Sequence, residues 1–275
     1  SGTTIYCAGT FINDGSIVVQ SNNNRAGIFD ARSNLRTTTP ATIGLNMTFR
    51  SPDIGDAASS ATNGSWSPNS TRSFGGGQGG ISMQEAAIRS SIGRMYRGGG
   101  AGGGSAFQGA SGGGALRILC QGDITNNGQI SANGNSGGSG GGGGGGGIIV
   151  LASQTSVQHS GTGSLNANGG NGGDAFVFTN LLLGAAGGGG GGIVAMIAPS
   201  LTNSGATNVN GGTGGTGTTL TNDSDRVSGG GGGASGGNGG SGGFMNPGTS
   251  ATAFDGTDGL QGITVLIPVS PDALF

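Results

Sequence analysis

Lysine is absent from this 275-residue chain, glutamate and histidine occur once each (Glu85 and His159), and charged residues make up only 8%. Without lysine there is no phosphate-binding P-loop and no Schiff-base chemistry. One histidine cannot build a multi-histidine metal site, and nothing near His159 resembles the nucleophile elbow of a Ser-His-Asp hydrolase. The ten basic residues are all arginine, and the formal net charge of −2 gives no electrostatic pull toward nucleic acid or an anionic membrane. No apolar run approaches the ~20 residues of a membrane helix. Aromatic residues are few (ten Phe, two Tyr, one Trp), so no aromatic-lined glycan groove is legible, while the eleven Asp scattered mostly through loops leave an opposed glycosidase pair open. A non-enzymatic, cofactor-free protein is expected. The chain opens at Ser1 with no signal-like stretch, as a processed or trimmed chain does.

What is abundant is glycine: 70 residues, concentrated at 75–80, 98–104, 112–114, 137–147, 169–173, 187–192, 211–217 and 229–243. Such a composition usually signals disorder. Fixing each backbone costs roughly 1–2 kcal/mol, so ordered glycine needs dense backbone hydrogen bonding and a separate apolar core. A strict Gly-X-Y period is missing and only seven Pro occur, which excludes a collagen triple helix. Extended three-residue helices bonded side by side remain possible, because chains without side chains pack very closely.

The apolar core is supplied by a repeat. Cys7-Ala-Gly-Thr-Phe-Ile-Asn-Asp-Gly-Ser-Ile17 aligns without a gap on Cys120-Gln-Gly-Asp-Ile-Thr-Asn-Asn-Gly-Gln-Ile130. Looser copies are Val157–Leu165 and Leu201–Val209, placing His159 where Asn stands in equivalent turns. Apolar runs Ala115–Cys120, Ile148–Ala152 and Ile193–Ala198 precede these copies, and Ile263–Val269 closes the chain. Each copy reads as strand, tight turn and short strand, with turn glycines expected in the left-handed conformation. Units that cannot bury their apolar face alone predict a mainly β fold: an irregular parallel β-solenoid of short layered strands. It would carry ordered glycine-rich, polyglycine II-like segments and one short helix. An ordinary β-sandwich is the alternative. Cys7 and Cys120, equivalent in the repeat, would lie one strand spacing apart (~4.8 Å) on neighbouring coils, either as a disulfide or as stacked buried thiols.

The blocks Gly140–Gly147, Gly187–Gly192 and Gly229–Gly240, separated by diverse inserts, resemble the receptor-binding adhesins at the tail-fibre tips of T-even-like bacteriophages. The Asn-Gly-centred strand repeats look more like glycine-rich β-solenoid surface proteins. The first resemblance implies a sandwich of polyglycine helices whose loops bind an outer-membrane protein or glycan receptor on the host cell. It also implies a location on the virion surface or outside the cell, with the N-terminal part docked to a fibre or other virion or surface protein.

The expected organisation is a first β rung at 1–24, an inserted attachment region at 25–111 containing a helix over 81–97, and a glycine-rich β-repeat domain with projecting loops at 112–275. Ala41–Phe49 alternates as one strand, and Trp66 is either a plug under a long loop or a docking anchor. Ile81, Ile88, Ile92 and Met95 recur at helical spacing. Three inserts interrupt the glycine: Asp174–Ala186, Thr216–Ser228 and Phe244–Asp258. Phe176, Phe178, Leu181, Leu182, Leu183, Phe244, Met245 and Phe254 in the first and third are the candidate receptor contacts, because exposed apolar loop residues mark interaction sites. The alternative is that they fold back as caps. Asp174, Asp223 and Asp225, with Asp255 and Asp258, are weak calcium candidates; the match of 169–177 to a calcium-binding nonapeptide is single, whereas that fold needs tandem copies. The expected function is receptor binding. A purely structural assembly subunit that forms homo-oligomers is the alternative, and ice binding or glycan hydrolysis is weaker.

Overall fold

The computed structural model describes residues 2–21, 34–37, 41–43, 47–51, 66–67, 76–92, 98–104, 109–178, 181–220, 225–246 and 251–275. The chain is mainly β, with parallel sheets and one α-helix. It begins with three short strands, β1 (Thr3–Cys7), β2 (Phe11–Asn13) and β3 (Ser16–Ser21), joined by tight turns. The same triplet recurs as β4 (Asn34–Thr37), β5 (Ala41–Ile43) and β6 (Met47–Ser51). After β7 (Trp66–Ser67) and α1 (Glu85–Ser91), it returns as β8 (Ala115–Cys120), β9 (Ile124–Asn126) and β10 (Gln129–Ser131). A fourth triplet is β11 (Ile148–Ser153), β12 (Ser156–His159) and β13 (Ser164–Asn166). The hairpin β14 (Phe176–Phe178) and β15 (Leu181–Leu183) precedes the fifth, β16 (Ile193–Ile197), β17 (Ser200–Asn203) and β18 (Ala206–Asn208). Then come β19 (Thr218–Leu220), β20 (Asp225–Val227), β21 (Met245–Asn246), β22 (Ala251–Ala253) and a last β23 (Ile263–Ile267).

Like strands stack on like. The first strands form one sheet in the order β23-β16-β11-β8-β1-β4, the second strands β17-β12-β9-β2-β5, and the third strands β18-β13-β10-β3-β6. Every pairing in these three sheets is parallel. The register reproduces the ungapped alignment of the repeat: Cys7 pairs with Cys120, Phe11 with Ile124, Asn13 with Asn126 and Ile17 with Ile130. His159 takes the rung next to Asn126. The looser copies are corrected in one respect. Leu165 pairs with Thr207, not Val209, because the turn after His159 is two residues longer than the turn after Asn203.

Two apolar layers hold the stack together. Inside lie Ile5, Cys7, Leu116, Ile118, Cys120, Ile149, Leu151, Val194 and Met196, with Ile124, Ile130, Val157 and Leu165 from the other two sheets. The opposite face of the first sheet (Ala115, Leu119, Ile148, Val150, Ala195, Ile197) is covered by Ile88 and Ile92. A sheet buried on both faces needs continuous apolar strands, hence Ile-Ile-Val-Leu-Ala and Ile-Val-Ala-Met-Ile. The helix is shorter than the predicted 81–97. Ile81 lies outside it and is 71% exposed, Ser82 is tied to Asn238, and 93–97 fall outside the described residues. The strand expected over Ala41–Phe49 is two strands, β5 and β6, in two different sheets.

Between the strand triplets run the glycine segments, and their bonding is regular. In Gly140–Gly147 the amides of Gly141, Gly144 and Gly147 donate to Gly138, Asn135 and Ala132. Those of Gly142 and Gly145 donate to Gly103 and Gly100, and those of Gly143 and Gly146 to Gly187 and Gly190. Its carbonyls accept in the same rhythm, from Gly230 and Gly233, Gly170 and Gly173, and Ala110 and Gly113. Each successive residue thus bonds to a different neighbouring segment, and the pattern returns every third residue. Neighbours run both parallel and antiparallel.

This arrangement explains the sequence of each segment. Gly141–Gly147 is surrounded on every side and has no side chain at all; every one of these residues is buried. The segment 168–175 has one open side, and every third residue (Asn168, Asn171, Asp174) carries a polar side chain toward it. The same holds for Asn210, Thr213 and Thr216 in the next segment. The outermost segment, 254–262, has two open sides and keeps only Gly256, Gly259 and Gly262. A Cβ added at Gly142, Gly143, Gly144 or Gly145 would strike a neighbouring carbonyl oxygen, of Gly231, Gly170, Ser111 and Ala234 respectively. Glycine is selected here by close approach and not by handedness. Among the described glycines only Gly140 has a positive φ (68°), so the left-handed turns expected in the repeat are absent there. The turn glycine Gly128 is instead required because it stacks on Gly15 in the neighbouring coil.

Candidate functional site

The glycine segments carry the chain away from the strand triplets and back again, so their far ends gather the inserts at one tip. Segment 167–175 leaves β13 and ends at β14; 184–192 returns from β15 to β16. Segment 209–217 leaves β18 and ends at β19, and 254–262 returns from β22 to β23. Cross-bonds align these ends: Ala175 N–H donates to the Thr216 carbonyl, Gly243 to Ala185, and Phe254 to Phe244. Nine extended residues span about 28 Å, which is the approximate distance from the strand stack to the tip.

At the tip the inserts build two small sheets. One runs β14-β15-β20-β7, joining the first insert, the second insert and Trp66–Ser67. The other runs β19-β22-β21, joining the second and third. Leu182, Met245 and Ala253 form a small core, with Ala175 packed against it. The three inserts are therefore one structure, although they lie far apart along the chain.

The candidate receptor contacts divide into two groups. Phe176 (45%), Phe244 (44%) and Phe254 (38%) are exposed, as is Val177. The rings of Phe244 and Phe254 stack face to face, with centroids 4.0 Å apart and planes inclined by 10°. Both occupy ends of adjacent glycine segments, where Phe254 N–H donates to the Phe244 carbonyl and Gly243 N–H to that of Ala185. Leu182, Leu183 and Met245 correct the expectation of exposed contacts: all three are fully buried, because the inserts need a core of their own before they can present anything. Phe178 and Leu181 are register partners in the β14–β15 hairpin. Val177, exposed beside Phe176, was missed in the sequence because a lone valine between two phenylalanines carries no separate signal. Trp66 pairs with Val227 along the backbone of the tip sheet.

The acidic residues of the glycine array accept backbone hydrogen bonds. At the outer surface of the glycine array, some backbone N–H groups have no further segment to donate to. Side-chain oxygens take that place: Asn168 Oδ1 accepts from Asn210 N (2.9 Å), Asn171 Oδ1 from Thr213 N (3.1 Å) and Asp174 Oδ1 from Thr216 N (2.8 Å). Asp258 and Asp255 receive Gly214 N–H (2.7 Å) and Gly217 N–H (2.6 Å). Asp174, Asp255 and Asp258 thus cap backbone donors. Asp223 lies outside the described residues, and Asp225 is a strand position of β20. Among the described residues no group of three or more His, Cys, Asp or Glu is placed to hold a metal ion, and no helix is long and apolar enough to cross a membrane.

The remaining reactive groups lie in the strand stack. Cys7 and Cys120 are buried register partners that stand as free thiols. Burial, and then the Cys7 thiol beside it, push the Cys120 thiol far above its ordinary range, so it is held protonated and unreactive. At an exposed turn, hydroxyls of Ser156 (2.6 Å) and Thr155 (2.7 Å) donate to Asp123 and hold its carboxyl below the usual carboxylate range. His159 is fully buried with both ring nitrogens engaged, so it has no access to a substrate. In comparisons with protein-family models, curated proteins and solved structures, nothing matches the chain.

Proposed function

We propose that the protein is a non-enzymatic adhesin, displayed on a virion surface or outside the cell, that binds a host surface receptor through its tip. In this reading the chain is a parallel β-solenoid fused to a polyglycine II-like lattice, and the lattice exists to hold the inserts rigidly away from the base. The observation that carries it is the convergence of three distant inserts into one tip that exposes three aromatic side chains, Phe176, Phe244 and Phe254. Exposed aromatics on a pre-ordered frame lose little entropy on binding, which is why such residues dominate binding hot spots. The likeness of the glycine blocks to tail-fibre-tip adhesins supports the same reading.

The test is cell decoration. Labelled protein should coat intact bacteria of a susceptible species. The double variant Phe244→Ser/Phe254→Ser should lose at least about tenfold in apparent affinity, corresponding to ~1.4 kcal/mol, with its thermal midpoint little changed. Undiminished coating by that variant, and by one with 176–178 replaced, would sink the reading.

A structural assembly subunit is the second reading, and one observation favours it. The strand stack ends openly at β23, where Leu266 continues the interior row of Met196 but is 43% exposed, and Leu260, Val269 and Phe275 are exposed nearby. Concentration-dependent oligomers abolished by Leu266→Arg would select that reading.

A further inference from the structure

The single histidine ends a buried ladder of asparagines; Asn203 on the next rung is exposed. Asn13, Asn126 and His159 sit on successive rungs, and all three are fully buried. Their hydrogen bonds run in one direction. Asn13 Nδ2 donates to Asn126 Oδ1 (2.6 Å), Asn126 Nδ2 to His159 Nδ1 (3.1 Å), and His159 Nε2 to the carbonyl of Ala206 (3.1 Å). A carboxamide nitrogen only donates, so Nδ1 must accept and the ring proton must sit on Nε2.

Backbone groups fix this direction at both ends. Asn13 Oδ1 accepts the N–H of Gly15 (3.2 Å), so turning that amide over would set donor against donor. At the other end the Ala206 carbonyl can only accept. The ladder therefore cannot reverse to accommodate a second ring proton. The ring is closely flanked by the backbones of Gly163 and Gly205: a Cβ at Gly163 would lie 2.8 Å from Nδ1 and one at Gly205 2.4 Å from Cε1, so only glycine leaves room for it. The groups next to the ring are the Asn126 amide on β9, the register partner Asn203 on β17, the Ala206 carbonyl on β18, and Gly163 and Gly205 of the flanking turns. None of them is charged.

We propose that His159 is a pH-operated latch in the strand stack. Uptake of a proton at Nδ1 sets N–H against the Asn126 amide and leaves a buried cation with no charged group beside it. The ladder breaks, and the coils on either side of β12 loosen. This inference is independent of what the tip binds.

The test uses the full chain and its His159→Asn variant, which restores the residue found on the neighbouring rungs. Between pH 7 and pH 5 the thermal midpoint of the wild type should fall by about 3 °C or more, while that of His159→Asn stays level. Parallel curves for the two proteins would overturn the proposal. Should the variant not fold, ring 15N spectra of the wild type decide, since one histidine gives one unambiguous signal set. The neutral Nε2–H form is expected down to the onset of unfolding; a charged ring within a natively folded chain at pH 5.5 refutes the latch.

Discussion

A glycine in this protein is a statement about distance. Gly144 has the Ser111 carbonyl where its Cβ would be, and the clash is with backbone on both sides, which no rotamer change relieves. Gly138, by contrast, has no atom within 4 Å of the same position. Gly144→Ala should therefore cost more than the ~1–3 kcal/mol typical of overpacking, because the lattice must part locally. Gly138→Ala should be neutral or stabilise by up to about 1 kcal/mol through the unfolded chain. Denaturant midpoints of the two variants, compared with wild type, check both; equal effects would mean that contact does not select glycine here. Cys120 obeys the same logic of enclosure, with burial keeping its thiol neutral. Its raised value favours folding below the ordinary thiol range, and that contribution is lost as pH rises and the unfolded thiol ionises.

Elements in this fold are stable only through their neighbours. The helix α1 is seven residues long, too short to stand alone, and its N-terminus lacks a side-chain cap. One exposed ion pair, Glu85 with Arg89, stabilises it little. What fixes it is Ile88, fully buried against Ile148, Val150 and their neighbours on the outer face of the first sheet. Ile88→Ala should cost about 2–5 kcal/mol by leaving a cavity over that face. Chemical denaturation should show the loss, and Arg89→Ala should show almost none.

At the scale of the whole molecule, a strand stack and a glycine array share one chain, and each coil contributes to both. The inner segment Gly141–Gly147 donates and accepts on six sides. Its amides should consequently exchange with solvent orders of magnitude more slowly than those of a free glycine peptide, at a rate close to that of β8 and β11. Exchange as fast as in the free peptide would remove the rigid frame and with it the display of the tip. Acid should loosen the stack through His159 before it touches the array, since the array contains no buried titratable group among its described residues.

Much of this was legible in the amino-acid order. The ungapped match of Cys7–Ile17 to Cys120–Ile130 became the register of three sheets, since side chains that must stack one strand apart have to be alike. The apolar runs before each copy became the sheet buried on both faces. What the order alone did not decide was the partner of each glycine segment, because a residue without a side chain carries no mark of its neighbour. It also left open which tip residues face outward. Leu182, Leu183 and Met245 read the same as Phe176, Phe244 and Phe254, yet they are buried, because the first and third inserts meet in a small core and the second joins them in two sheets. Local sequence determined the rungs, through periodicity. Only the tertiary structure decided the array and the tip, because both arise from backbone contacts between segments whose sequences are nearly identical.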